Sequence, residues 1–103
     1  INANIRMMFV YAVNDEYVAG FSLKPINEIQ IYFAYLVVRE DMRNQGIGSL
    51  LIDYAVTYAK QNKYKEISLK VDVDNINAKR LYERKGFIPS QKNDEKILMI
   101  REL

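Results

Sequence analysis

The run Arg43-Asn44-Gln45-Gly46-Ile47-Gly48 is a place where backbone, rather than side chain, can do chemistry. Two glycines one residue apart lead straight into an apolar pattern with helical spacing, although glycine inside a helix costs about 1 kcal/mol relative to alanine. The first N–H groups of a helix lack intrahelical acceptors and carry a partial positive charge. Glycine lets a ligand approach them closely, so strand, loop, Gly-x-Gly and helix together suit a phosphate or another anion. A tight strand-to-helix turn with no ligand has the same spelling. Taken alone, the loop fits both.

Side-chain chemistry is bounded by two absences. The 103 residues contain no cysteine and no histidine. That removes Ser-His-Asp and Cys-His nucleophile systems and the usual zinc ligands. No metal is therefore expected, and catalysis falls to Tyr, Asp, Glu, Lys, Arg, Ser or backbone groups. Lys and Arg total 15 against 13 for Asp and Glu, a net charge of +2, and no long basic run occurs. Charge thus gives no reason to expect a nucleic-acid partner. No apolar run approaches the ~20 residues of a membrane span. The apolar start runs on into a strand-like pattern instead of a cleaved leader. A cytoplasmic location away from membranes is the expectation. The chain opens on Ile1 rather than Met, which leads us to expect a fragment, or a start inside a longer protein.

The elements that must position this chemistry read as one domain over residues 1–103. Ile5 to Val13 is rich in β-formers, Asn14 and Asp15 make a turn, and Glu16 to Lys24 runs back as a hairpin. After Pro25 and Asn27, Glu28 to Val38 forms a long strand. It is apolar on both faces beyond Tyr32, which places it centrally in a sheet with both faces covered. Arg39 to Gly46 is a polar loop. From Ile47 the period becomes helical, with Ile47, Leu50, Leu51, Tyr54, Ala55, Tyr58 and Ala59 on one face and the end at Gln61 and Asn62. Glu66 to Val73 alternates as a strand buried on one side through Ile67, Leu69, Val71 and Val73. Asp74 and Asn75 are good caps for a second helix, Ile76 to Lys85, which Gly86 stops. Phe87 to Ser90, a polar loop through Asp94 and a last strand from Lys96 complete the order β-β-β-α-β-α-β-β, an α/β chain with a mixed sheet.

Three kinds of phosphate loop compete for the glycines. A Walker loop requires Gly-Lys-Ser/Thr, but Ser49 and Leu50 follow Gly48. A dinucleotide fingerprint requires a third small residue where Leu51 stands, although an acidic residue, Asp72 or Asp74, does end the following strand. The third kind has arginine first. Arg43-Asn44-Gln45-Gly46-Ile47-Gly48 resembles the acetyl-coenzyme A loop of the GNAT superfamily of N-acetyltransferases, Arg/Gln-x-x-Gly-x-Gly/Ala. Tyr35-Leu36-Val37-Val38 before it looks like that family's pantetheine-binding strand segment. Asn75 to Phe87, NINAKRLYERKGF, looks like its Asn-x-x-Ala-x-x-Leu-Tyr-x-x-x-Gly-Phe element. The motifs come in the family's order, separated by one helix and one strand, and the resemblance covers roughly residues 5 to 101.

The resemblance implies a GNAT-like acyl-CoA N-acyltransferase fold with acetyl-CoA as the acyl donor. It implies that the N–H groups of Arg43, Asn44, Gln45, Gly46, Ile47 and Gly48, with the Ser49 hydroxyl, hold the pyrophosphate. Leu36, Val37 and Val38 are core residues by side chain; their implied role is through backbone groups left free where this strand diverges from Glu66–Val73. Tyr82 is the implied general acid toward the leaving sulfur, since a phenol near ~10 and a thiol near ~8.5 can share a hydrogen bond. A packed core tyrosine is the bland reading of the same residue. Asn75 serves the cofactor, caps its helix, or does both. Lys79, Arg80, Arg84 and Lys85 meet nucleotide phosphates or form a solvated face.

No base is assigned. The family's glutamate position falls within Tyr32 to Tyr35, and Glu28 lies further back. The implied reaction is direct attack by a primary amine of a small molecule, peptide or protein in a ternary complex, because no Cys or His can carry an acyl group. The other reading is a non-catalytic acetyl-CoA sensor or interaction module. The resemblance also implies a missing N-terminal strand and helices. We therefore expect an upstream covering segment or a homodimer, through Ile5, Met7 and Phe9 or through Met8 and Val10.

Overall fold

The hairpin turn sets the first register. Asn14 and Asp15 adopt φ of 52° and 65°, the left-handed pair of a two-residue turn that matches strand twist. It joins β1 (Met7–Val13) to β2 (Glu16–Pro25). The next turn is held by Asn27, whose Oδ1 accepts from the Ile29 and Gln30 N–H groups at 2.9 Å each. β3 (Gln30–Val38) follows, then a short 3-10 turn at Glu40–Met42 and α1 (Ile47–Gln61). β4 (Glu66–Asp72), α2 (Ile76–Arg84), β5 (Ile88–Lys92) and β6 (Lys96–Glu102) complete the computed structural model, which describes residues 5–103. This is the order expected from the sequence, with strand and helix ends moved by a residue or two.

The strands form one six-stranded sheet in the order β1-β2-β3-β4-β6-β5. Only β3 and β4 pair in parallel, and the chain between them is α1. α1 lies on one face of the sheet over a row of rings. Phe9 and Phe21 stack at 4.8 Å between centroids, Phe21 and Phe33 at 5.2 Å, and Tyr58 meets Phe9 edge-on at 5.2 Å. Ile31, Ile67, Leu69 and Met99 fill the rest of the layer.

The buried stripe of α1 differs from the expected one. Ile47, Leu51, Ile52, Ala55, Val56 and Ala59 are buried, while Leu50 and Tyr54 are exposed. The stripe is turned by somewhat less than one residue, each residue rotating the face by about 100°. Its axis runs through Ala55 and Ala59, small enough to let helix and sheet approach. The bulky tyrosines stay at its border.

The cover expected on both faces of β3 is also absent beyond Phe33. Ile31 and Phe33 are buried, but Tyr35 and Val37 are exposed. On β1, Met7, Phe9 and Tyr11 pack toward α1, and Met8 and Val10 stand open on the opposite face at 64% and 63% exposure.

Candidate active site

β3 and β4 pair only through Gln30↔Glu66, Ile31↔Ile67 and Tyr32↔Ser68. Beyond that they part, and a bulge in β3 accompanies the parting. Across β2, Ser22 faces Ala34 but Gly20 faces Val37, so β3 carries one extra residue there. Tyr35 takes φ of 57° within it. A bulge bends its strand and increases the local twist. The backbone of Phe33 to Val38 therefore has no ladder partner on the β4 side.

The loop beyond β3 is tied back to it. Arg43 Nε donates to the Val38 carbonyl at 3.0 Å. Asn44 and Gly46 then take φ of 63° and 80°. Gly46 is the N-cap of α1 and supplies no side chain to cap it. The first backbone bond of the helix runs from the Leu50 N–H to the Gly46 carbonyl at 3.0 Å. The N–H groups of Ile47, Gly48 and Ser49 thus have no partner within the helix. The two glycines differ in purpose. A Cβ on Gly46 would meet nothing within 4 Å, so this glycine serves its left-handed φ. A Cβ on Gly48 would stand 3.8 Å from Leu36 and 3.9 Å from Leu81, side chains that wall the adjoining cleft.

That cleft has a volume of about 630 Å³ and is lined by Leu36, Val37, Val38, Arg43, Asn44, Gly46, Ile47, Gly48, Ser49 and Asn75. Of the loop, strand and cap residues expected on the cofactor side, Gln45 alone is outside the lining, and of the four cations in and just after α2 Lys79, Arg80 and Lys85 are outside it as well. Met42, Leu81 and Arg84 join it. Met42 gave no sequence signal beyond being apolar, and Leu81 only its place as the leucine of the Asn75–Phe87 element. Arg84 was one of four cations on a helix, and among them Lys85 is engaged by Asp53 at 2.9 Å.

A second cavity of about 180 Å³ occupies the gap between β3 and β4 and shares Leu36 and Asn75 with the first. Tyr82 lines it. Its ring is held edge-on by Phe33 at 6.4 Å and Phe87 at 6.0 Å, and the residue is only 8% exposed. Its phenol has no hydrogen-bond partner among the described residues, and burial pushes its pKa up. The group is therefore a neutral donor at ordinary pH. Asn75 uses Oδ1 to accept from the Ala78 N–H at 3.2 Å, capping α2, which leaves its NH₂ free where the cavities meet. Glu28 is exposed in the turn before β3 and lines neither cavity. The carboxylate that does line the gap is Asp72, ion-paired with Lys96 at 2.5 Å. Its only sequence signal was its place at the end of a strand.

Among the described residues no group of His, Cys, Asp or Glu is placed to hold a metal, and no helix is long and apolar enough to cross a membrane.

Known proteins resemble this chain in both sequence and fold. The profile of the acetyltransferase (GNAT) family matches residues 2–87. An uncharacterized N-acetyltransferase of Methanocaldococcus jannaschii is 33% identical over 76 residues, covering 74% of this chain and 32% of that protein. N-alpha-acetyltransferase 30 of Schizosaccharomyces pombe is 31% identical over 83 residues, covering 77% of this chain and 55% of that one. The chain thus spans about a third to just over half the length of these relatives. Among solved structures, a GNAT family acetyltransferase from Elizabethkingia anophelis with acetyl-CoA bound superposes with a TM-score of 0.84 at 23% identity, covering 93% of this chain and 75% of that one. This last likeness is one of fold.

Proposed function

The chain belongs to the GNAT acetyltransferase family, and from that premise we propose that it is the catalytic part of an acetyl-CoA-dependent N-acetyltransferase acting on a primary amine. The observation that carries this reading is that the two cavities adjoin, with Leu36 and Asn75 in the walls of both. The cleft at the start of α1 and the gap that Tyr82 lines thus meet at one side chain of β3 and one cap residue of α2.

The residues present fit acetyl-CoA. Phosphates suit the unpartnered N–H groups of Ile47 to Ser49, with Arg43 and Arg84 beside them. An extended arm with amide groups suits the unpaired edge of β3 from Leu36 to Val38, as an added strand would. When bound, the donor supplies an acetyl thioester. The protein's own part is positional and electrostatic. The free β3 N–H groups can stabilise negative charge developing on a carbonyl oxygen, and the Tyr82 hydroxyl can donate to a departing thiolate. Because burial raises the phenol further above a thiol's ~8.5, Tyr82 gives a hydrogen bond and keeps its proton. The amine attacks directly, since no Cys or His is present to carry the acetyl group.

The Schizosaccharomyces pombe relative, named an N-alpha-acetyltransferase, favours a peptide or protein amino group over a small-molecule amine. A cytoplasmic setting belongs to the same proposal, as does a homodimer through the open Met8 and Val10 face. Calorimetry with acetyl-CoA, NAD and ATP tests the donor, and tight binding of acetyl-CoA alone is expected. Coenzyme A thiol release in the presence of peptides with free amino groups tests the reaction. Binding without release on any amine would assign the chain to the sensing role instead.

A further inference from the structure

The open face of the sheet hides one polar side chain. Ser22 of β2 lies opposite Met8 and shares its face, yet it is 0% exposed, the single buried polar residue among the described ones. A buried hydroxyl is costly unless its donor and acceptor capacities are met. Here both are. Its Oγ accepts from Arg6 Nη1 at 3.0 Å and donates to the Ala34 carbonyl at 3.2 Å. Arg6 also reaches further: its guanidinium carbon lies 4.9 Å from the centre of the Tyr35 ring, within the range of a cation–π contact.

Ala34 and Tyr35 are the residues at which β3 leaves register. Ser22 faces Ala34, and two residues back along β2 Gly20 already faces Val37. Tyr35 stands in that step with φ of 57°, a conformation that is costly for a residue with a Cβ and free for glycine. Without the extra residue Leu36 would oppose Gly20, and the side chains from there to Val38 would change face. Ala34, Tyr35 and Leu36 line the gap beside Tyr82, and Leu36, Val37 and Val38 line the cleft at the start of α1. The bulge thus shapes both cavities. Arg6 contacts its start twice, at Ala34 through Ser22 and at Tyr35 directly.

We infer, resting on the acetyl-transfer reading above, that Arg6 and Ser22 are positioning residues for acetyl-CoA: from the opposite face of the sheet they clasp the β3 bulge in its left-handed turn, and through it fix the free strand edge and the gap. Neither residue lines either cavity, so the clasp acts on a population. Only the bulged register offers the edge that fits acetyl-CoA, and apparent affinity falls with the fraction of chains that hold it. Saturating acetyl-CoA restores that register, and the reacting groups then stand where they do in the wild type.

Arg6→Met keeps an apolar stem on an exposed residue and removes both contacts. Coenzyme A titrated calorimetrically into this variant should bind about threefold to tenfold more weakly, the loss of one charged hydrogen bond and one exposed cation–π contact. KM for acetyl-CoA in peptide acetylation should rise by the same factor, with kcat within about twofold of wild type. Ser22→Ala should act in the same direction. Arg6→Lys, which keeps a cation able to donate to Ser22 and to face the ring, should recover part of the loss. Tyr35→Gly added to Arg6→Met should recover most of it, because glycine holds the left-handed φ unaided. A readout without ligand is the Arg39 N–H, which donates to the Val18 carbonyl at 2.8 Å just past the bulge. Its hydrogen exchange should be faster in Arg6→Met.

Unchanged coenzyme A affinity in a folded Arg6→Met chain would overturn the inference. So would a loss that neither Arg6→Lys nor Tyr35→Gly repairs, or a fall in kcat at unchanged KM. Peptide acetylation by Arg6→Met at the wild-type KM would also remove the clasp while leaving acetyl transfer intact. Faster Arg39 exchange and weaker coenzyme A binding in Arg6→Met, with no acetylation of any peptide by the wild type, would instead overturn the transfer reading and leave the clasp standing.

Discussion

Replacing Tyr82 by phenylalanine isolates one hydroxyl. The ring keeps its edge contacts with Phe33 and Phe87, and no internal hydrogen bond is lost, because the phenol has no partner among the described residues. Folding stability should therefore change by less than about 1 kcal/mol. Turnover should change far more. A hydrogen bond to a charged group contributes about 1.5–3 kcal/mol, which at about 1.4 kcal/mol per decade is a fall of between about 10-fold and about 10²-fold in kcat. Acetyl-CoA affinity should stay level, because the phenol meets sulfur only as charge develops there.

The pH dependence adds a second check. Burial holds the phenol's pKa above its usual value, so the donor form persists across the assay range. The ratio of wild-type to Tyr82→Phe kcat should be flat from about pH 7 to about pH 9. Thiol release under saturating peptide measures it, with urea denaturation as the stability control. Equal turnover in a folded Tyr82→Phe chain would refute the donor role. A ratio that fell toward unity by about pH 9 would refute the raised phenol.

Gly46→Ala places a side chain at φ of 80° and should cost about 1–2 kcal/mol, read as a drop of several degrees in Tm. Gly48→Ala, with only ordinary contacts to Leu36 and Leu81, should be neutral or stabilising by up to about 1 kcal/mol. Gly48→Val pushes branched carbon into the cleft those residues wall and should weaken acetyl-CoA binding in a folded chain; unchanged affinity by calorimetry would show the cleft misassigned. Tyr32, Tyr64 and Tyr82 are all pushed upward, chiefly by burial. The folded state then binds its protons more tightly than the unfolded chain, so stability holds below about pH 10 and declines as pH climbs through the raised pKa values. The urea midpoint should fall as pH rises above about 10, and less steeply in Tyr82→Phe. Light scattering of the purified chain, compared with Met8→Lys and Val10→Lys, checks the open sheet face: a dimer that the lysines dissociate is expected, and a stable wild-type monomer would remove the case for one.

The features legible in the sequence are those written locally. Asn14-Asp15 carried the hairpin, Asn75 the cap of α2, Gly86 its stop, and Gly46-Ile47-Gly48 the start of α1. Each depends on a few adjacent residues whose types restrict φ or supply an acceptor. What was not legible depends on partners far along the chain. Nothing in β6 announces that it inserts between β4 and β5. The face of α1 was misjudged because tyrosine counts as apolar in a periodicity, while at the border of a packed layer Tyr54 stays exposed and Ile52 and Val56 turn inward. The bulge at Tyr35 has no glycine or asparagine to mark it; its left-handed φ is imposed by pairing with β2. Asp72 gave no hint of bordering the gap, because the gap exists only once β3 has bent away.

This division explains how a chain without histidine or cysteine can be equipped for acyl transfer. The cleft's polar resources are mainly backbone: N–H groups left over at the start of α1, and a strand edge left over where β3 parts from β4. Such groups need neither an ionisable side chain nor a tuned pKa, only a fold that leaves them unpaired beside a cavity. On the reading proposed above, one buried phenol then serves as the side-chain donor. Residues free of those backbone duties, at the end of β4 and in the β5–β6 turn, can vary in charge without disturbing the donor cleft.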